Sequence, residues 1–280
     1  ELSLTPEEGT VIDSLTLADT VAVESSTQGD SVRCEGVDGE NVAFHALTTF
    51  RAFAGVEFPP LTVTIEKQIP IAAGMGGGSA DAAAVLRICN HLTDDQLSAT
   101  QLRQIAAMLG SDIPSQVVPG RSIATGAGDV VESLPRPIGY SVVVLPADYG
   151  LSTADVYAKA RELKLGRPHV ELSDQAKRLR ALLLEGVVED GLPPAEFLVN
   201  DLAAAAVELS PEIEQRLKAA TKLGCDEVMV SGSGPTVVGI FRADPAGEQA
   251  LAAVAKLAAE LKPGFAAVPA DEVPPILSAQ

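Results

Sequence analysis

The alternation of apolar and polar residues before residue 138 predicts a β-rich region that holds three helices. Val42, Ala46, Phe50 and Phe53 recur at the spacing of an amphipathic helix, which predicts a helix over residues 41–54. Short apolar or alternating runs between turn residues are typical of strands. We expect strands at residues 2–5, 14–23, 31–34 and 61–65, further helices at 80–92 and 98–109, and a hairpin of 121–125 with 129–133.

The pattern changes after Pro135-Arg136-Pro137 to strands interleaved with pairs of helices, which is typical of an α+β layer. We therefore expect two domains, residues 1–138 and 139–280, in an α+β fold. Strands are expected at residues 140–145, 226–230, 236–241 and 265–268, and helices at 152–163, 172–184, 197–208, 211–223 and 246–261.

A glycine-rich segment joins the predicted strand at 61–65 to the helix after it. Four of the five residues 74–78 are glycine, so no side chain keeps a ligand away from the backbone. A helix that starts near Ser79, with Ser79 as its cap, directs free N–H groups and its positive dipole end at this loop. The segment therefore predicts an anion site, most often one for phosphate.

Two common phosphate motifs do not match this segment. A P-loop needs Gly-Lys-Ser/Thr at its end, and no lysine follows Gly78. The third glycine of a dinucleotide fingerprint would fall on Ser79. A tight strand-to-helix turn without a ligand stays open as the alternative. Asp81 is ambiguous, since an acid near a helix start often serves only to balance the helix dipole.

The composition, 46% hydrophobic and 21% charged over 280 residues, allows two modest cores. The formal net charge of −18 argues against nucleic acid as a partner, so an anionic substrate must be held by a few placed cations and backbone N–H groups. The three cysteines and three histidines are scattered, which predicts neither a disulfide framework nor a metal site.

Cellular location can also be predicted from the sequence. No apolar run reaches transmembrane length, and the start has no secretory signal pattern. Together with the unpaired cysteines, this predicts a cytoplasmic protein without membrane attachment. The chain begins at Glu1 rather than Met, so we expect a processed, trimmed or fragmentary form.

Two later loops carry candidate chemistry. Asp112 lies in Gly-Ser-Asp-Ile-Pro (residues 110–114), where a turn aspartate that binds its own backbone is the simpler alternative to a functional acid. Residues 231–235, Ser-Gly-Ser-Gly-Pro, stand between two apolar strands. Two glycines and two hydroxyls exceed what a hairpin needs, so we expect close approach to a ligand, with a plain turn as the alternative.

Together these loops resemble conserved motifs of the GHMP small-molecule kinases. Residues 70–84 resemble the second motif and residues 231–235 the third. Within that superfamily, Gly-Gly-Gly-Ser-Ala-Asp-Ala-Ala and residues 109–114 are similar to one subfamily. Its acceptor is 4-diphosphocytidyl-2-C-methyl-D-erythritol of the non-mevalonate isoprenoid pathway. Residues 40–43 and 200–202 also stand where this subfamily has similar stretches.

The resemblance implies a two-domain GHMP kinase fold and transfer of the ATP γ-phosphoryl group to a primary hydroxyl of a small molecule, with ATP and Mg²⁺ as cofactors. Asp112 would be the base that accepts the hydroxyl proton. The implied ATP-binding residues are Pro70, Gly74, Met75, Gly76, Gly77, Gly78, Ser79 and Ala80, with Asn41 and Lys67 near the adenosine. The implied substrate-binding residues are Ser152, Thr153, Gly232, Ser233 and Gly234.

One departure from the subfamily bears on activity. Its first motif resembles Pro-Ala-Lys-hydrophobic-Asn followed by Asp-Gly-Tyr-His, in which the lysine pairs with the catalytic aspartate and Tyr-His contacts the cytidine end. No Lys-x-Asn precedes Leu2, and residues 8–15 stand where Asp-Gly-Tyr-His and its following strand are expected. We therefore expect ATP binding but weak or no phosphorylation of that acceptor. A GHMP kinase for homoserine, mevalonate or a sugar, and an impaired nucleotide-binding homologue, stay open as alternatives.

Overall fold

The computed structural model describes residues 2–3, 9–55, 57–185, 191–258, 264–270 and 276, and these form a mixture of helices and strands. The strands are β1 (Leu2–Ser3), β2 (Thr10–Asp13), β3 (Thr20–Ser25), β4 (Ser31–Cys34), β5 (Leu61–Glu66), β6 (Arg121–Thr125), β7 (Val130–Ser133), β8 (Ser141–Leu145), β9 (Arg167–Pro168), β10 (Glu227–Val230), β11 (Val237–Phe241) and β12 (Phe265–Ala267). The α-helices are α1 (Val42–Ala54), α2 (Gly77–Leu92), α3 (Ala99–Ala107), α4 (Ile113–Gln116), α5 (Thr153–Glu162), α6 (His169–Glu185), α7 (Ala203–Leu209), α8 (Glu212–Lys222) and α9 (Glu248–Leu257).

The first core lies between helices α1 to α4 and the sheet β3-β5-β4, in which β5 pairs antiparallel with β3 and parallel with β4. Phe50, Leu86 and Val63 are fully buried there. Burying side chains of this size contributes about 1.5–3 kcal/mol each, so this core fixes where the glycine-rich segment between β5 and α2 begins and ends.

In the second sheet, β2-β6-β7, an ion pair joins β2 to β6, and Tyr140, the residue before β8, bonds to it. Arg121 donates to both carboxylate oxygens of Asp13, over 2.7 and 2.6 Å. The Tyr140 hydroxyl donates to the same carboxylate over 2.6 Å, and a further Arg121 nitrogen donates to the Gly191 carbonyl. The Asp13 carboxylate is therefore balanced by a two-pronged cation and a hydroxyl.

The sheet β10-β11-β8-β12 is antiparallel throughout. It forms another core with the helices α5, α7, α8 and α9. Among the described residues, the β-pairings that cross residue 138 are the pair β1-β9 and a single bridge between Leu15 and Pro269. The α+β class agrees with the expectation, and the domain boundary near residue 138 stays a prediction.

Several predicted boundaries were wrong. Residues 14–23 are not one strand, because the chain leaves β2 at Asp13 and enters β3 only at Thr20. Residues 197–208 are not one helix, since a 3-10 turn (Ala195–Phe197) and a loop precede α7. The short helix α4 was expected as loop. Of the strand predicted at 2–5, residues 4–5 lie outside the described residues, as do residues 259–261 of the predicted last helix.

Candidate active site

The glycine-rich loop ends in helix α2, which begins at Gly77 with Gly76 as its N-cap. Gly74 and Gly76 have φ angles of +73° and +70°, a backbone conformation that L side chains rarely adopt. Ser79 therefore lies inside the helix, and the prediction that it caps the helix was wrong. Gly76 makes no side-chain cap hydrogen bond, so no capping side chain competes with an anion for the first-turn N–H groups.

A buried lysine lies directly beneath this helix start. Lys67 Nζ contacts the carboxylates of Asp19 at 2.5 Å and Asp81 at 2.8 Å. A Cβ on Gly77 would lie 3.2 Å from Lys67 Nζ, which places the ammonium group against the loop. Two of its three N–H donors face carboxylates, and a third is left for a ligand.

The cluster of Asp19, Lys67 and Asp81 has one more acid than base, and the side chains of all three residues are largely buried. Burial raises the pKa of Asp81 to about 6, in spite of the hydrogen bond from Lys67. Burial also opposes the charge on Lys67, but the hydrogen bonds to Asp19 and Asp81 outweigh it and raise the lysine pKa. Lys67 is thus held charged beneath the loop.

The cluster settles the ambiguity at Asp81 and reveals a residue that sequence reasoning missed. Asp81 lies beyond the first helical turn and is an ion-pair partner, not a dipole acid. Asp19 was missed, although the strand register holds the signal. Thr20 pairs with Glu66, so the residues one step outward, Asp19 and Lys67, must meet. The other Asp19 oxygen accepts the N–H groups of Gln68 and Ile69 at the entry to the loop, over 2.6 and 2.8 Å.

The other predicted nucleotide residues lie around the same loop. Asn41 caps α1 by accepting the Ala43 N–H over 2.9 Å, and the next residue, Val42, faces Gly78. Pro70 and Ala80 are partly exposed, while Met75 packs against the Tyr140 cluster of the core. A cavity of about 550 Å³ lies along β4 and β5, lined by Arg33, Glu35, Thr64, Ile65, Glu66 and Lys67.

The predicted third loop touches the first. A Cβ on Gly74 would overlap the carbonyl oxygen of Gly234, so the two backbones approach as closely as glycine allows. Ser231 Oγ donates to the Gly74 carbonyl over 3.4 Å, and Gly232 lies beside the same carbonyl. Residues 72–76 and 231–235 thus form one wall of a common site.

Helix α5 begins beside this wall. Ser152 is the N-cap of α5 and accepts the Asp155 N–H over 3.3 Å, while Thr153 Oγ1 lies 3.0 Å from Ser233 Oγ. One turn later, burial raises the pKa of Tyr157, and the negative charge of Asp112 raises it further.

Asp112 itself is an exposed N-cap residue of the short helix α4. It accepts a hydrogen bond from its neighbour Ser111 Oγ over 3.1 Å but makes no side-chain cap bond to α4, so the simple turn-aspartate alternative loses its main support. Within the described part of the chain, no lysine or arginine pairs with Asp112. Tyr157 was not predicted from the sequence, because only the folded chain shows that the charge of Asp112 acts on its hydroxyl group.

Comparison with known proteins identifies the class to which this arrangement belongs. The family model described as GHMP kinases N terminal domain matches residues 41–120, and GHMP kinases C terminal matches residues 188–260. The chain therefore belongs to the GHMP kinases. Across the described helices, none is long and apolar enough to cross a membrane.

Curated relatives narrow the family to the 4-diphosphocytidyl-2-C-methyl-D-erythritol kinases, to which the chain belongs. That kinase of Heliobacterium modesticaldum is 33% identical over 259 residues, 87% of this chain and 81% of the relative. That of Salinispora arenicola is 39% identical over 221 residues, 79% of this chain and 68% of the relative. A third match, from Macrococcus caseolyticus, is 37% identical over 64% of this chain, and the chain spans only 61% of that relative's length.

Solved structures support the same fold. A crystal structure of 4-(cytidine 5'-diphospho)-2C-methyl-D-erythritol kinase has a TM-score of 0.70 and 28% identity, covering 92% of this chain and 88% of the other. Homoserine kinase from Cytophaga hutchinsonii has a TM-score of 0.71 but 17% identity, covering 94% and 89% of the two chains, and it supports the fold alone. The two-domain GHMP kinase fold expected from the sequence is thus confirmed.

Proposed function

We propose that this chain transfers the γ-phosphoryl group of ATP to the hydroxyl of 4-diphosphocytidyl-2-C-methyl-D-erythritol. The observation that carries the proposal is the contact between the two glycine loops: Gly74 meets Gly234, and Thr153 at the start of α5 lies 3.0 Å from Ser233. The arrangement supports a phosphoryl-transfer site, in which donor phosphate and base must face one acceptor.

The phosphates of ATP would bind at the start of α2. The residues proposed for this are Pro70, Gly74, Met75, Gly76, Gly77, Gly78, Ser79 and Ala80. They fit the group because the first-turn N–H groups have no capping side chain and the Gly77 position leaves a charged Lys67 below. The cavity beside Lys67, with Asn41 nearby, would take the nucleoside. Mg²⁺ would enter bound to the phosphates, since it is typically held by one or two carboxylates and substrate oxygens.

The acceptor would lie against α5 and the third loop. The residues proposed to contact it are Ser152, Thr153, Gly232, Ser233 and Gly234, together with the Tyr157 ring. Asp112 would accept the hydroxyl proton as the acceptor oxygen bonds to the γ-phosphorus, while the bond from that phosphorus to the β,γ-bridging oxygen breaks and ADP leaves. Its exposure keeps it accessible to a hydroxyl in the cleft.

The test is a phosphotransfer assay with purified chain, Mg-ATP and three acceptors: diphosphocytidyl methylerythritol, homoserine and mevalonate. We expect phosphorylated product from the first alone, at a rate below the 1–100 s⁻¹ or so typical of kinases. The slow rate is expected because Tyr-His is absent and no described cation pairs with Asp112.

The other outcomes each identify a different protein. Product from homoserine or mevalonate would reject the proposed acceptor but keep the kinase. Calorimetric ATP binding without product from any acceptor would make the chain a nucleotide-binding homologue. Failure to bind ATP would reject the whole proposal.

A further inference from the structure

Asn200 is a polar residue whose contacts the proposed chemistry does not use. Its side-chain nitrogen donates to two carbonyl oxygens, Val230 at 2.7 Å and Gly232 at 2.8 Å. Its side-chain oxygen accepts the Leu202 N–H over 2.9 Å. Both N–H donors and the oxygen are therefore occupied, and a side chain of this size with two donors and one acceptor must be asparagine.

These bonds hold the first part of the turn that forms the third loop. Val230 ends β10, and Gly232 stands two residues further, with a φ angle of +53°. Gly234 is packed from behind, since a Cβ there would meet Val230 Cγ1 at 3.2 Å and Ala206 Cβ at 3.5 Å. Asn200 on one side and α7 on the other therefore set how far residues 231–235 project from the sheet.

The position of this loop in turn sets that of the phosphate loop. Gly234 and Gly74 are in backbone contact, and Ser231 donates to the Gly74 carbonyl. Gly74 precedes the helix cap Gly76 by two residues. A shift of the third loop toward or away from Gly74 must therefore move the N–H groups at the start of α2.

We infer that Asn200 is a positioning residue for nucleotide binding, which acts on the ATP phosphates through residues 231–235 and Gly74 without touching them. The inference rests on the proposed nucleotide site at the start of α2. In Asn200→Asp, a carboxylate would replace two donors and face two carbonyl oxygens. The like-signed oxygens would repel, and the loop would move.

The matched control is Asn90→Asp. Asn90 makes a similar set of bonds at the far end of α2, where it donates to the Leu97 carbonyl over 3.0 Å and to the Asp95 carboxylate over 3.4 Å, and accepts the Leu97 N–H over 2.9 Å. It is buried, so the same substitution also costs stability there. It touches neither glycine loop, so it reports the effect of a general loss of stability.

The experiment combines calorimetry and hydrogen exchange on the full chain. For Asn200→Asp we expect affinity for a non-hydrolysable ATP analogue to fall tenfold or more, about 1.4 kcal/mol. We also expect faster amide exchange in residues 72–77 and 231–235. Asn90→Asp should show neither change, even if both variants lose similar unfolding free energy in denaturant. If Asn200→Asp does not fold, Asn200→Ser takes its place. This variant has no carboxylate and should show the same two changes more weakly.

Two results separate this inference from the proposed function. Unchanged exchange in residues 72–77 in both Asn200 variants would overturn the positioning role, whatever the chain binds. Nucleotide affinity that is unchanged, or that falls equally in Asn90→Asp, would overturn it as well. If wild type bound no nucleotide while exchange changed only in the Asn200 variants, the link between the loops would stand and the nucleotide site would fail.

Discussion

The proposed nucleotide side of the cleft (residues 74–80 with Asp19, Lys67 and Asp81) and the proposed acceptor side (Asp112, α5 and residues 232–234) are built differently. The first offers backbone N–H groups above a buried ion cluster. The second offers exposed side chains, with no described cation beside its carboxylate. Nucleotide affinity should therefore depend on loop shape, and turnover on single side chains.

The largest expected effect is on the acceptor side. Asp112→Asn should reduce phosphotransfer about 10² to 10⁴-fold, because the amide cannot accept the hydroxyl proton. ATP affinity by calorimetry should stay unchanged. Asp174→Asn, at an exposed position of α6, is the matched control and should keep wild-type turnover. Near-native turnover in Asp112→Asn would remove Asp112 from the mechanism.

On the nucleotide side, Lys67→Met should strongly destabilise the fold, by about 3–5 kcal/mol, because it leaves two buried carboxylates without a cation. Denaturant unfolding measures the loss, and exposed Lys218→Met is the control. Adding Asp81→Asn to Lys67→Met should restore part of the stability. If the double variant is no more stable than Lys67→Met, repulsion between Asp19 and Asp81 is not the cause.

Gly77→Val tests loop shape without changing charge. Even a Cβ at Gly77 would lie 3.0 Å from Ile69 Cγ2 and 3.2 Å from Lys67 Nζ, so the larger valine side chain would push the start of α2 and its N–H groups out of position. Calorimetry should show a loss of ATP affinity of about 100-fold or more, equivalent to about 2.7 kcal/mol. Circular dichroism should show an intact fold. A folded variant with wild-type affinity would contradict the site.

A smaller effect is expected at Tyr157. Tyr157→Leu removes a partly buried ring that we propose contacts the acceptor, and where a base stacks on an aromatic ring the contact is worth about 1–3 kcal/mol. The KM for the acceptor should rise while the KM for ATP stays constant. Tyr149→Leu removes an aromatic ring that contacts Arg216 instead and serves as the comparison. Equal changes in both KM values would show that Tyr157 does not act on the acceptor alone.

The smallest effect sharpens the electrostatic contrast. Because the Asp81 pKa is about 6 in the folded chain and 3.8 as its ordinary value, the folded state binds the proton more tightly between those limits. The contribution of Asp81 to the free energy of unfolding of the wild type should therefore fall as pH rises from about 4 to 6 and stay level above pH 6. Relative to wild type, Asp81→Asn should gain stability over the same window in denaturant titrations. A constant difference from pH 4 to 7 would contradict the raised pKa.

The sequence predicted the two glycine loops because positive φ angles such as those at Gly74 and Gly234 favour glycine, and glycines are visible in the chain itself. The role of Asp112 stays a prediction. Lys67 was placed at the nucleotide, but its carboxylate partner Asp19 depends on strand register. Tyr157 depends on how α5 packs. The helix was predicted to start near Ser79 but begins at Gly77. The reason is that Gly76 caps it with a left-handed φ angle, which the residue type alone does not determine.

The contact between Gly74 and Gly234 has a consequence for how this chain tolerates substitution. A side chain at position 74 would overlap the Gly234 carbonyl, so it would need a compensating retreat of the turn between β10 and β11, 160 positions away in the chain. The two positions are expected to be epistatic: the damage from changing one depends on the geometry of the other. For redesign, the two loops should be exchanged between homologous scaffolds together, as a single unit.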